Sequence, residues 1–109
     1  MNNIKLPQLN SYVYVITYVD GMPYCITKDR VYMKSATEFI TEDMISDSVI
    51  KEYRYPLDAD DYGRRWTKTL AEAKASVNKY FQEEKLYFGN EIQYTITKNR
   101  NDDSWAIER

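Results

Sequence analysis

The densest group of chemically capable side chains lies between Pro56 and Trp66, where Asp58, Asp60 and Asp61 precede Tyr62, Gly63, Arg64 and Arg65. An Asp-x-Asp run followed by glycine is how a calcium loop opens; its twelve-residue frame sets oxygen ligands on alternate positions and ends on a bidentate Glu. Counted from Asp58, the fifth position is Tyr62 and the twelfth is Thr69, so neither supplies the expected carboxylate. Calcium is not expected. Recognition suits these residue types better, because Arg, Tyr and Trp dominate binding hot spots and contact residues gather on loops held by a rigid scaffold. Asp58, Asp60, Asp61, Tyr62, Arg64 and Arg65 therefore form a first candidate contact set. The plain alternative is a solvated loop whose Asp and Arg side chains neutralise one another.

Most catalytic devices cannot be built from this chain. It has no histidine, which removes the commonest general base, the Ser-His and Cys-His nucleophile pairs and the commonest zinc ligand. Cys25 is the only cysteine, so neither an intrachain disulfide nor a thiolate cluster can form, and its apolar strand-like surroundings suggest a buried thiol. Gly21, Gly63 and Gly89 stand too far apart for a phosphate-cradling loop or a dinucleotide fingerprint. Two carboxylates suffice for glycoside hydrolysis or a magnesium nuclease, yet 17 acidic residues give no ground for choosing a pair. The expectation is a protein that is not an enzyme and takes neither metal nor cofactor.

Tyrosine is the compositional anomaly, with 11 Tyr against 3 Phe and 2 Trp. Its ring offers rigid apolar area with a polar tip, which favours interfaces, although strands favour it as well. Tyr12, Tyr14 and Tyr18 share one face of a β-forming run and make a second candidate set. Such rings could stack the bases of single-stranded nucleic acid. A net charge of −2 argues against broad phosphate binding, and the run lacks the basic residue and glycine of an RNA-recognition signature. A protein partner therefore ranks ahead of nucleic acid.

The elements that must carry these residues can be read from periodicity. Residues 11–19 are apolar on both faces, as in a central strand, or one with a face awaiting a partner in a homo-oligomer. Asp20-Gly21 signals a hairpin, with Met22–Thr27 returning and Pro23 marking an edge or irregular start. Lys28, Asp29 and Arg30 suggest a second turn before a short strand over 31–33. Ser35 and Glu38 fit a capping box for a helix over 36–45, and alternation over 49–55 gives a further strand. Thr69 and Glu72 form a second capping box. Behind it Leu70, Ala73, Val77, Tyr80, Phe81 and Glu84 trace one face of a helix over 70–85. Alternation over 91–98 and a last strand over 104–108, with Trp105 and Ile107 inward, close the chain. The order is β-β-β-α-β-α-β-β. This is an α+β fold: a mainly antiparallel sheet with one or two helices packed on one face.

At 109 residues the chain fits one domain spanning 1–109, with 1–10 as a flexible leader or one lying along a sheet edge. The first residues lack the pattern of a signal peptide, and no run approaches a membrane span. A cytoplasmic location is the default expectation.

Taken together, Tyr12-Val13-Tyr14-Val15-Ile16 with Asp20-Gly21, Trp66-Thr67-Lys68 opening the helix through Leu70, Ala73 and Lys74, and the closing Tyr94–Lys98 and Trp105–Ile107 segments carry a resemblance. The chain resembles the small accessory proteins encoded by phages and other mobile elements. The resemblance spans most of the chain and transfers no individual functional residue. It implies a protein that binds and inhibits a host protein, such as a defence nuclease, in the manner of an anti-CRISPR, and that would act in the host cytoplasm.

Overall fold

The computed structural model describes residues 4–42, 55–89 and 92–109. They form the expected α+β fold, a mainly antiparallel sheet with one helix packed against it. The strands are β1 (Tyr12–Val19), β2 (Met22–Lys34), β3 (Glu38–Glu42), β4 (Leu57–Asp58), β5 (Trp66–Thr67), β6 (Thr95–Lys98) and β7 (Ser104–Glu108). A 3-10 turn, Ala59–Asp61, separates β4 from β5, and α1 (Leu70–Phe88) separates β5 from β6.

β2 is the spine. β1 runs along one of its edges for almost its whole length, while the other edge is divided between two strands. β3 takes the C-terminal half and β7 the N-terminal half, where Cys25, Ile26 and Thr27 pair with Ala106, Trp105 and Ser104. β1 and β2 are joined by the Asp20-Gly21 turn. Both turn residues have positive φ, 52° and 77°, as the tight turn matched to strand twist requires. Pro23 sits at a register shift near Thr17 and Tyr18, the irregular start that its missing amide demands.

Each face of β1 serves its own core. Ile16 joins Ile26, Ala73, Val77, Phe81, Trp105 and Ile107 beneath α1. Val13 and Val15 face the other way and pack with Val31, Phe39, Leu57 and Trp66. The apolar character of both strand faces is thus explained within one copy of the chain. Ile4 and Leu6 pack on the second core, and the Asn10 amide donates to the Val31 carbonyl at 2.9 Å. Residues 4–10 are therefore docked, not a loose leader.

α1 follows its periodicity. Ala73 and Val77 are fully buried and Phe81 nearly so, each Val or Phe contributing about 1.5–3 kcal/mol by burial. The Thr69 hydroxyl accepts from the Glu72 amide at 3.2 Å, as the capping pattern predicts. The helix runs one turn beyond the expected 85 and stops at Gly89, whose φ of 72° closes the C-terminus with its amide on the Lys85 carbonyl. No helix among the described residues is long and apolar enough to cross a membrane.

Two local expectations are overturned. Lys28, Asp29 and Arg30 form no turn; they lie mid-strand in β2, with Asp29 buried and accepting from the Thr41 hydroxyl at 3.1 Å. The helix expected over 36–45 is replaced through residue 42 by β3, and 43–45 lie outside the described residues. The Ser35 hydroxyl does accept from the Thr37 and Glu38 amides, as a helix cap would. Yet the Ser35 amide donates to the Glu38 carbonyl at 2.9 Å, closing a hairpin instead. Phe39 and Thr41, buried on alternate positions, then favour a strand. The strand expected over 49–55 falls outside the described residues except at Tyr55, which is exposed and outside any strand.

Candidate binding surface

The segment between Leu57 and Trp66 folds back on itself. The Asp58 carboxylate accepts from the Asp61 amide at 3.1 Å, and the Asp61 carboxylate accepts from the Asp58 amide at 3.0 Å. Asp61 also meets the Arg65 guanidinium at 3.4 Å. These carboxylates thus cap their own 3-10 turn instead of pointing together at an ion. Among the described residues no group of three His, Cys, Asp or Glu side chains converges to hold a metal. Asp58 and Asp60 border an open groove of about 620 Å³ together with Lys5, Lys34 and Ser35.

The aromatic members of the segment turn inward. Trp66 is fully buried, its indole donating to the Asp58 carbonyl at 2.7 Å, with Tyr62 edge-on at 4.9 Å between centroids. The Tyr62 hydroxyl donates to the Glu72 carboxylate, tying the segment to the first turn of α1. Arg64 remains exposed and places its guanidinium 5.8 Å over the Tyr18 ring, while the Tyr18 hydroxyl donates to the Arg64 carbonyl at 3.1 Å. Tyr18 and Arg64 are thus brought together. Asp58, Asp61 and Arg65 form a separate local unit.

Tyr12 and Tyr14 belong to the opposite end of β1. Tyr14 is half-buried against Trp105, with ring centroids 5.8 Å apart, and so is chiefly a core residue. Tyr12 is 48% exposed, beyond the part of the sheet that α1 covers. Its cross-strand neighbours define a surface that periodicity alone had not assembled. Arg30 lies directly opposite Tyr12, and Lys28 lies opposite Tyr14, so all four share one sheet face. The Lys28 ammonium sits 5.0 Å over the Tyr12 ring, and the Arg30 guanidinium sits 5.9 Å from the Tyr32 ring centre. Arg30 is fixed in place: one guanidinium nitrogen reaches Glu42 and another reaches the Asn10 side-chain oxygen, both at 2.5 Å. Tyr32 is 39% exposed.

The result is a strip of two outward tyrosines and two cations whose orientations are set by each other and by Glu42. Lys28, Arg30 and Tyr32 were missed because three successive charged residues read as a turn. Hydropathy gave no counter-signal, because each strand face mixes polar and apolar residues: Ile26, Lys28, Arg30 and Tyr32 on one, Thr27, Asp29 and Val31 on the other.

Tyr18, Tyr80 and Tyr94 hold their protons above the ordinary value of 10.0. Desolvation by burial is the main cause in each. At Tyr18 it outweighs the opposing pull of Arg64, and at Tyr80 the neighbouring Glu84 adds to it. Because the folded values are raised, the stability carried by the neutral rings is complete below 10.0 and is lost as pH climbs through those values. An alkaline titration followed by tyrosinate absorbance should show a late-ionising group of tyrosines, with loss of near-ultraviolet circular dichroism accompanying it. A single sharp step in which every tyrosine ionises together before any structural change would contradict this.

Comparison with protein families, with curated proteins and with solved structures finds no match to this chain.

Proposed function

We propose that this chain is a non-enzymatic protein-binding module that engages its partner through the strip formed by Tyr12, Lys28, Arg30 and Tyr32. In keeping with the resemblance to mobile-element accessory proteins, the partner is a host protein that the module inhibits, a defence nuclease being the leading class. The observation that carries this reading is the pairing of each exposed ring with its own cation, at 5.0 and 5.9 Å. Rings held in place lose little freedom on docking, and Tyr and Arg are the side chains that hot spots favour. The 58–66 segment plays a supporting part: it completes the second core and exposes only Asp60 and Arg64 among its charged candidates beyond the capping unit.

The test is a comparison of wild-type protein with the Y12A/Y32A variant. Both rings stand at the surface, so the variant should keep its circular dichroism spectrum. It should lose host-protein capture and inhibition by about tenfold or more, since one hot-spot residue alone is worth about 2 kcal/mol or more. Undiminished capture and inhibition by the folded variant would overturn the assignment.

The same strip supports a second reading, binding of single-stranded nucleic acid, because rings flanked by Lys28 and Arg30 could combine stacking with phosphate contact. A fluorescence titration with mixed-sequence oligonucleotides at low salt separates the two. Binding that weakens steeply with added salt and is lost in Y12A/Y32A would favour nucleic acid.

A further inference from the structure

We propose that β6 is a self-association edge, at which a second copy of this chain adds antiparallel to the sheet. Among the described residues β6 pairs only with β7, so its outer edge carries unpaired backbone groups. Which groups these are follows from the hairpin register. The Asn99 amide donates to the Ser104 carbonyl at 3.0 Å, which makes those two a hydrogen-bonded pair. Alternation along an antiparallel ladder then turns the amides and carbonyls of Thr95 and Thr97 toward β7, and those of Ile96 and Lys98 outward.

A two-fold axis perpendicular to the sheet at Ile96 satisfies the outward groups with their own copies. Ile96 then faces the partner's Ile96, and Tyr94 faces the partner's Lys98 at both ends of the pairing. Thr95 faces the partner's Thr97 on the other side of the sheet. No like charges meet, each lysine gains an aromatic ring, and the threonines form the cross-strand pair that sheets favour. Outward residues must face outward residues, and of the registers this allows, the axis at Ile96 is the one that sets Tyr94 against Lys98 while pairing Ile96 with its own copy.

The same axis places both α1 helices on one face of the joined sheet, because Ile96 and Tyr94 pack toward α1. Along that side of the helix runs a groove of about 270 Å³ lined by Asn78, Phe81, Gln82, Lys85, Ile92 and Tyr94. One turn on from Gln82, Leu86 is 85% exposed, apolar area that an adjacent copy would cover. None of these residues belongs to the Tyr12–Tyr32 strip, so the inference stands apart from the proposed function.

The measurement is self-association by analytical ultracentrifugation over a concentration series, on the wild type and two variants. The wild type should approach twice the 13.0 kDa chain mass. The T95K/T97K variant sets lysine opposite lysine twice per dimer and should associate about tenfold more weakly or less. T95K/T97E sets opposite charges across the same contact and should associate at least as well as the wild type. In both variants the lysine at 95 lies across from Glu108 within the chain, so only the residue at 97 distinguishes them. A wild type that stays at 13.0 kDa throughout overturns the proposal, as does equal behaviour of the two variants.

Discussion

Replacing Trp66 with alanine should destabilise the protein by about 3–5 kcal/mol, the range for truncating a large buried aromatic side chain. The figure belongs at the upper end for physical reasons that converge on one residue. Trp66 is fully buried, packs edge-on to Phe39 at 5.0 Å and to Tyr62 at 4.9 Å, and pairs in β5 with Val15. Its loss leaves both rings facing a void and removes the indole donor from the Asp58 carbonyl. Collapse cannot easily fill that void, because Phe39 is held in the β3 ladder and Tyr62 is tied to Glu72. Urea denaturation measures the loss, and Trp66→Phe resolves its parts. The phenylalanine restores most of the ring packing but not the donor, so it should recover more than half of the deficit. A loss below about 1 kcal/mol for the alanine variant would mean that the second core is not a cooperative part of the fold.

Phe81→Ala should be comparably severe, again about 3–5 kcal/mol, with a different distribution. Phe81 stacks on Tyr94 at 4.3 Å and meets Tyr80 at 5.3 Å, joining α1 to the segment that leads into β6. Ile92 and Tyr94 reach the first core as partly buried residues packed against it, so removing the ring loosens their attachment as well as the helix. Hydrogen exchange should therefore accelerate first in 92–98 and in the later turns of α1, while amides of β3 and the 3-10 turn keep their relative protection. Uniform acceleration across the chain would show that the two cores open together and that the β1–β2 pair does not separate them.

The contrast between the two cores also explains what the sequence made legible. Apart from its end at Gly89, one turn past the expected 85, α1 was readable because its signals are local: the Thr69 cap and the stripe from Leu70 to Phe81 act within a few residues. The same holds for Asp20-Gly21 and for Trp105 and Ile107, whose alternation is short and clear. Lys28, Asp29 and Arg30 defeated local reading because the reasons for their placement lie elsewhere in the chain. Arg30 belongs in a strand because Glu42 stands opposite, and Asp29 is tolerated inside because Thr41 supplies a hydroxyl. Ser35 and Glu38 failed for a subtler reason. A serine accepting from the next two or three amides begins a helix or closes a hairpin equally well, and only the following Phe39 and Thr41 tip the balance.

The candidate surface divides in the same way. Tyr12 was identified from composition and strand pattern, but its partners Lys28, Arg30 and Tyr32 became visible only with the register. Asp58, Asp61 and Arg65 had the right chemistry for contact, and the structure engages them within their own turn. Of the Asp–Arg pairing that the self-neutralising alternative implies, the described residues show Asp61 with Arg65 at 3.4 Å. Cys25, expected to be buried, is only partly so.

The division of one edge of β2 between β3 and β7 has a consequence for the order in which the chain acquires structure as it is made. Every residue of the second core described here precedes Thr67 in the chain, so that core can close once Trp66 has left the ribosome, before the residues that complete the first core have emerged. The first core cannot, because Ile26 waits for Trp105 and Ile107. At about 5–20 residues per second, the roughly forty residues between Thr67 and Ile107 take about 2–8 s to appear. Throughout that interval the N-terminal half of β2 presents an unpaired edge and a bare apolar face. A nascent chain of this protein is therefore most vulnerable to wrong strand pairing after half of it has already folded.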